Sequence, residues 1–139
     1  LEFRRVLFRS FTMSFPFDPN AGLVLVEAQV FSSSEDAMVL LALDTGANVS
    51  VISQQVLTSI GYDLLSANDY RPVLTANGVV NVPLITLDKF SALGQHKSDF
   101  SVLCHSLPAT AGIDGVIGLD FLRNHVLTLD FTTGKLTLV

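Results

Sequence analysis

The sequence predicts an all-β domain, either a barrel or a sandwich, with one or two short helices. Short apolar stretches recur along the chain, several of them alternate with period two, and turn residues separate them. The 139 residues are enough for one domain with a single hydrophobic core. Because 49% of the residues are hydrophobic and 15% are charged, the composition excludes a disordered chain.

Two strand patterns in the first third of the chain lead to an acid. Residues 23–30 (LVLVEAQV) alternate between apolar side chains and the polar Glu27 and Gln29, which is typical of a half-buried strand. Residues 37–43 (AMVLLAL) are apolar on both faces and predict a central strand. This strand ends at Asp44, where a carboxylate costs desolvation energy unless it is hydrogen-bonded, paired or used.

Two short helices are predicted from local signals. Ser53 can cap a helix and Gly61 can end it, so we expect a helix over residues 53–60. A second helical turn is expected near residues 119–124, after a short apolar strand.

Two hairpins are predicted as well. Residues 73–87 (VLTANGVVNVPLITL) contain Asn77-Gly78, a pair that favours a tight type I′ turn between apolar strands. Residues 126–139 (VLTLDFTTGKLTLV) form the second hairpin, with its turn at residues 133–134. The return strand, residues 135–139, is expected to present an unpaired edge to which another chain can add.

The charge balance and apolar runs exclude some functions. A net charge of −5 and a pI near 4.9 argue against a nucleic-acid surface, which needs clustered Lys and Arg. The longest apolar run, residues 37–43, is too short to span a bilayer, so no membrane segment is predicted in this fragment.

The cysteine and histidines give no metal signal. Cys104 stands alone, which excludes an internal disulfide framework or a multi-Cys zinc site, and it is compatible with a cytoplasmic protein. We expect Cys104 to be a small core residue. His96, His105 and His125 share no ligand spacing, so no metal site is predicted.

The beginning of the chain differs in composition from the rest. Residues 1–10 (LEFRRVLFRS) hold three of the eight basic residues and resemble a translated cloning adapter. We interpret them as a non-native leader, residues 11–21 as an N-terminal segment and residues 22–139 as the functional domain.

The motif Asp44-Thr45-Gly46 lies in LALDTGANVSVIS (residues 41–53). An apolar strand precedes it and a predicted helix follows it. Asp before Thr-Gly also suits a plain structural turn, and this simpler interpretation stands beside a chemical one. The difference depends on the rest of the chain.

Three segments together resemble the retropepsin-like aspartic proteases. They are LALDTGANVSVIS, the flap-like LTANGVVNVP (residues 74–83) and DGVIGLDFL (residues 114–122). This family includes retroviral proteases, their single-domain cellular and bacterial relatives, and one half of pepsin. The resemblance covers about residues 22–139 and implies a closed, mostly antiparallel β-barrel.

The resemblance implies an aspartic endopeptidase that needs no metal or cofactor. Because one chain supplies one Asp-Thr-Gly, it implies a homodimer in which each subunit provides one catalytic Asp44. Asp120 is expected to be structural, a carboxylate near helix N–H groups. The implied supporting residues of the catalytic loop are Thr45 and Gly46, and the implied substrate-binding residues are Ala47, Asn48, Thr75, Ala76, Asn77 and Gly78.

Two further expectations follow from the resemblance. The resemblance implies apolar flap and cleft residues at Val79, Val80 and Ile52. These residues favour extended hydrophobic peptides as substrates. Chain termini interleave at the two-fold axis of viral relatives, so we expect Leu136 and Leu138 near the dimer interface.

The sequence also suggests two functions other than proteolysis. The segment LALDTGANVS also resembles the first phosphate hairpin of sugar-kinase and actin-like ATPases, but those folds need a second phosphate loop and a longer chain. The alternative that stays open is a catalytically silent retropepsin-fold module that binds peptides or dimerises without cleaving.

Overall fold

Ten strands and two short helices make up the computed structural model, which describes residues 12–139. The predicted leader, residues 1–10, therefore lies outside the described residues. The helices are α1 (Gln54–Ser59) and α2 (Leu119–Leu122). The strands are β1 (Ser14–Pro16), β2 (Leu25–Phe31), β3 (Asp36–Leu43), β4 (Val51–Ile52), β5 (Tyr70–Thr75), β6 (Gly78–Ala92), β7 (Gln95–Cys104), β8 (Gly115–Ile117), β9 (Leu127–Asp130) and β10 (Lys135–Leu138).

Six of these strands close into a barrel. The order is β2-β3-β8-β4-β7-β6, and β6 pairs again with β2, while β5 extends the sheet from β6. Most pairs are antiparallel, but β3 runs parallel to β8, and β4 runs parallel to β7. The all-β fold class and the closed barrel predicted from the sequence are confirmed.

The alternation in the sequence becomes the inside and outside of this barrel. Along β2, Val26, Ala28 and Val30 are buried, whereas Glu27 and Gln29 lie on the other face. β3 lies between β2 and β8, as expected for a strand that is apolar on both faces. An aromatic cluster fills part of the core, where Phe90 stacks on Phe100 and meets the edge of Phe121.

A separate three-stranded sheet has the order β1-β10-β9. The expectation that residues 135–139 leave an unpaired edge is wrong, because β10 is the central strand of this sheet. Leu136 and Leu138 are buried in the core of the protomer instead of being available at a surface. Phe17, which follows β1, joins the same core.

Helix α1 begins and ends at its predicted signals, whereas α2 begins at the predicted Leu119 but ends at Leu122, two residues before the expected end. The Ser53 side chain accepts a hydrogen bond from the N–H of Val56 (3.3 Å), and Gly61 follows α1 with a φ of 96°. α2 occupies the predicted second position. Single 3₁₀ turns cover Leu64–Ser66 and Ala109–Ala111.

The turn between β5 and β6 differs from the prediction in one respect. Thr75 pairs with Gly78, so the two central turn residues are Ala76 and Asn77 instead of Asn77-Gly78. Positive φ occurs at Gly78 (109°) but not at the two central residues, whereas a type I′ turn needs it at both. This pattern is typical of a type I turn followed by a glycine bulge.

Within residues 12–139, neither helix has the length and apolar sequence that a membrane crossing requires.

Candidate active site

Asp44 lies where β3 ends beside β8. Leu43 pairs with Ile117 in the parallel ladder, and the Asp44 N–H donates to the carbonyl oxygen of Ile117 (2.9 Å). These bonds fix the backbone of Asp44 against a strand that is more than seventy residues away in the sequence. The side chain is exposed.

The turn after Asp44 holds its carboxylate. The Gly46 N–H donates to Asp44 Oδ1 (2.8 Å), and the Ala47 N–H donates to the Asp44 carbonyl oxygen (3.2 Å). A Cβ on Gly46 would lie 3.1 Å from Asp44 Oδ1, a tight contact that glycine avoids. Thr45 and Gly46 are exposed like Asp44, so one edge of this turn is open to a partner or a substrate.

The second half of the loop is bonded to α2 and the residue before it. The N–H groups of Leu119 and Asp120 donate to the carbonyl oxygens of Ala47 (2.8 Å) and Asn48 (3.2 Å). Asn48 is exposed and Ala47 is half-buried.

Ser50 and Asp120 form a polar contact under this loop. Ser50 is fully buried, its hydroxyl donates to Asp120 Oδ1 (2.7 Å), and its N–H donates to Asp120 Oδ2 (2.9 Å). The N–H of Phe121 also donates to Asp120 Oδ1 (2.9 Å). The prediction that Asp120 is a structural carboxylate near helix N–H groups is confirmed.

Two glycines allow the backbone segments to cross closely. A Cβ on Gly115 would lie 1.9 Å from the carbonyl oxygen of Val51, and one on Gly118 would lie 2.6 Å from that of Ala47. A side chain at Gly115 would push β4 away from β8, and a side chain at Gly118 would push the Asp44 loop away from the start of α2.

The flap-like residues form a separate group at the tip of the β5–β6 hairpin. The Thr75 hydroxyl donates to the Gly78 carbonyl oxygen (2.8 Å), and the Asn77 N–H donates to Thr75 Oγ1 (3.3 Å). Ala76, Asn77 and Gly78 are exposed. The structure thus groups the predicted site residues in two places, the Asp44 loop and the hairpin tip.

Other residues considered from the sequence lie elsewhere. Ile52 is fully buried, so the expectation that it lines a cleft is wrong. Cys104 is a core residue as predicted, and burial raises the pKa of its thiol. Burial likewise raises the pKa of Tyr62, whose hydroxyl bridges Phe31 and Asp88 in the wall of the barrel. In the described part of the chain, no three His, Cys, Asp or Glu side chains form a group that could hold a metal ion.

Sequence reasoning did not identify Ser50, Gly115 and Gly118. Ser50 had a usable signal, because it is a polar residue in the apolar stretch that leads into β4. The two glycines lie in the segment DGVIGLDFL that carries the family resemblance, but their contacts depend on which backbone passes them.

The barrel and its aspartate loop define a retropepsin-like aspartic protease fold. A solved structure described as a retropepsin-like aspartic protease from Rickettsia conorii matches with a TM-score of 0.69. The match covers 92% of this chain and 89% of that chain, with 20% sequence identity, and confirms the fold that the sequence predicted.

The sequence itself matches a family model. The family is described as "gag-polyprotein putative aspartyl protease", and its model matches residues 33–124, more than half of the chain. The chain therefore belongs to this retropepsin-like aspartyl protease family. A search of curated protein sequences found no significant match.

Proposed function

We propose that the protein is a homodimeric aspartic endopeptidase in which Asp44 of each subunit supplies one carboxylate of a catalytic pair. The observation that carries the proposal is the placement of Asp44. It lies at the end of a barrel strand, in a glycine turn, with its side chain exposed. The family membership points to the same chemistry.

The need for a second chain follows from how the neighbouring acids are used. Asp114 Oδ2 accepts from the N–H of Leu40 (2.9 Å), and both oxygens of Asp120 accept from donors of its own chain. Both of these carboxylates are thus hydrogen-bonded within their own chain, which supports a partner for Asp44 from outside it. A second Asp44, brought by another copy of the chain, supplies the missing group.

Two carboxylates at short distance cannot both ionise, so the pair shares one proton and titrates as a unit. Aspartic proteases are the standard example of this behaviour. The ionised Asp44 takes a proton from a water molecule as that water attacks the peptide carbonyl carbon. The protonated Asp44 of the partner subunit donates a hydrogen bond to the developing oxyanion. The tetrahedral intermediate then collapses: its C–N bond breaks as the proton taken from water passes from the first Asp44 to the leaving amine nitrogen, so the products are a carboxylic acid and an amine and the pair again holds one proton.

The surrounding residues bind and enclose the peptide. Thr45 stiffens the paired loops across the two-fold axis, and Gly46 lets the substrate backbone approach. Ala47 and Asn48 line the cleft. The hairpin tip, residues 75–78, closes over the substrate and excludes water.

The experiment is cleavage of an unfolded protein by the wild type and by Asp44→Asn. We expect the variant to lose at least about a thousandfold in kcat, because both carboxylates of the dimer disappear together. Its fold should persist, since asparagine is nearly isosteric and can still accept from Gly46. Asp36→Asn, which removes an exposed carboxylate from the other end of β3, is the matched control and should cleave normally.

Equal cleavage by Asp44→Asn and the wild type would contradict the mechanism. A wild-type dimer that binds peptides but cleaves none between pH 3 and pH 8 would instead establish the silent peptide-binding module.

A further inference from the structure

The buried contact between Ser50 and Asp120 joins the far end of the Asp44 loop to α2. The Ser50 hydroxyl donates to Asp120 Oδ1 and accepts from the Gly118 N–H (3.0 Å). Both carboxylate oxygens of Asp120 accept backbone hydrogen bonds: Oδ2 accepts from the N–H of Ser50, and Oδ1 accepts from the N–H of Phe121. The Ser50 hydroxyl and both Asp120 carboxylate oxygens are therefore all hydrogen-bonded within this contact.

This contact determines how the loop is held because the loop has two anchors. The first is Asp44 itself, whose N–H is bonded to β8. The second is the segment 47–50, hydrogen-bonded to residues 118–120. The Asp44 carboxylate is bonded to Gly46, between the two anchors, so a shift of the second anchor turns the carboxylate.

We propose that Ser50 and Asp120 are positioning residues for the aspartic-protease reaction. They fix the loop 44–50 so that the two Asp44 carboxylates of the dimer stay close enough to share one proton. This inference rests on the proposed function and extends it to two residues under the loop, the buried Ser50 and the half-buried Asp120.

A shift of the loop 44–50 should change the pH range over which the dimer is active. When the two carboxylates are strongly coupled, their two titration steps lie far apart and the singly protonated pair persists over a wide pH range. If the loops shift and the carboxylates separate, the steps approach each other and the active range narrows. Charged or titratable groups on the elements around these residues include Lys97 of β7, whose Nζ lies 5.1 Å from the centre of the Phe121 ring. Asp114 precedes β8, Arg123 follows α2 with its N–H on the Leu119 carbonyl oxygen, and His105 follows β7 with its N–H on the Ile52 carbonyl oxygen.

Two variants weaken the contact to different extents. Asp120→Asn places an amide where Ser50 and Phe121 offer donors, so one donor faces another. Ser50→Ala removes only the hydroxyl and leaves the backbone bonds to Asp120, so it is the milder change and carries the test if Asp120→Asn does not fold. Asp114→Asn is the matched control, because the Asp114 carboxylate also accepts from a backbone N–H, that of Leu40 in β3, and Asp114 is not hydrogen-bonded to residues 44–50.

The measurement is a carbon NMR titration of the Asp44 carboxyl group in each dimer, labelled at aspartate, followed by kcat and KM against pH. We expect the two titration steps to move together in Asp120→Asn and, to a smaller extent, in Ser50→Ala. The value of kcat should fall about tenfold or more in Asp120→Asn, with KM within about twofold. Asp114→Asn should lower the melting temperature while keeping the wild-type separation of the steps.

The outcomes separate this inference from the proposed function. Coupled steps in the wild type that stay equally far apart in both variants would overturn the positioning role and leave the protease intact. A single uncoupled Asp44 titration in the wild-type protein would overturn the shared-proton pair, and the positioning role with it.

Discussion

Two aspartates with similar sequence surroundings have opposite roles in this fold. Asp44 directly follows β3 and Asp120 is the second residue of α2, and each comes after a leucine, yet Asp44 is exposed and the Asp120 carboxylate accepts from three donors. The glycine two residues after Asp44 explains why the sequence could distinguish them, since it leaves room for a turn that presents the carboxylate. The buried partner of Asp120, Ser50, required the fold to be seen.

A third aspartate, Asp130, makes the free energy of unfolding depend on pH in the acidic range. Hydrogen bonds from the Thr132 hydroxyl and from the N–H groups of Thr132 and Thr133 lower the pKa of Asp130 from 3.8 to about 2. A lowered pKa in the folded state means that the ionised form stabilises the fold above the ordinary pKa. This contribution is lost as the pH falls toward 2.

We therefore expect the urea midpoint of the wild type to fall more between about pH 4 and pH 2 than that of Asp130→Asn. The variant keeps an acceptor for Thr132 and Thr133 but cannot titrate. Midpoints that decline in parallel over this range would show that Asp130 has an ordinary pKa.

At the scale of elements, short-range signals predicted what depends on short-range contacts. α1 formed where Ser53 and Gly61 indicated, because a cap and a stop act within one turn. The hairpin turn was placed one residue too late, since Asn77-Gly78 suits both a type I′ turn and a type I turn with a glycine bulge. Strand β4 has two residues, too few for any periodic pattern.

The position of β10 shows what such signals omit. Its pairing with β9 was predicted, because the two strands form a hairpin. Its pairing with β1 was not, because β1 has three residues, includes Pro16 and lies about 120 residues earlier in the chain. A local pattern contains no information on a partner that distant.

The flap-like hairpin carries a prediction about substrate binding. Leu74 and Val79 are directly opposite across β5 and β6, so they share a face, and they are 81% and 67% exposed. If the hairpin closes over a peptide, this apolar pair loses contact with water in the complex. We expect the double variant Leu74→Asn/Val79→Asn to raise KM about tenfold.

The control for this variant is Leu65→Asn, which changes an apolar side chain of the 3₁₀ turn that is 97% exposed. Both proteins should melt close to the wild type, because none of these side chains is in the core. An unchanged KM in the double variant would remove the hairpin face from the substrate site.

At the scale of the whole molecule, the site exists because the barrel closes. The parallel pairing of β3 with β8 brings the Asp44 loop against residues 118–120, β4 pairs with β8 and β7, and the pairing of β6 with β2 closes the barrel. The sequence predicted the class of fold through three motifs, each short and local. It could not predict the crossing of Gly115 and Gly118 with the loop, which arises only when distant segments are packed together.

The proposed dimer belongs to the same scale. Asp44 is exposed in a glycine turn, and the Asp114 and Asp120 carboxylates are hydrogen-bonded within their own chain. The terminal sheet does not present β10 for pairing, and its edge strands in residues 12–139 are β1 and β9. The dimer interface belongs to the proposed function, whose central claim is that each active site uses Asp44 from both subunits.

Mixed dimers of wild-type and Asp44→Asn chains test most directly whether both subunits contribute Asp44. Wild-type and Asp44→Asn chains are refolded together at equal concentrations so that the subunits exchange, and the cleavage rate is compared with that of wild type at the same total concentration. If each active site needs Asp44 from both subunits, only wild-type pairs cleave, and random pairing leaves about one quarter of the activity. A remaining activity of about one half would mean that each chain cleaves with its own Asp44 alone, and would contradict the shared pair.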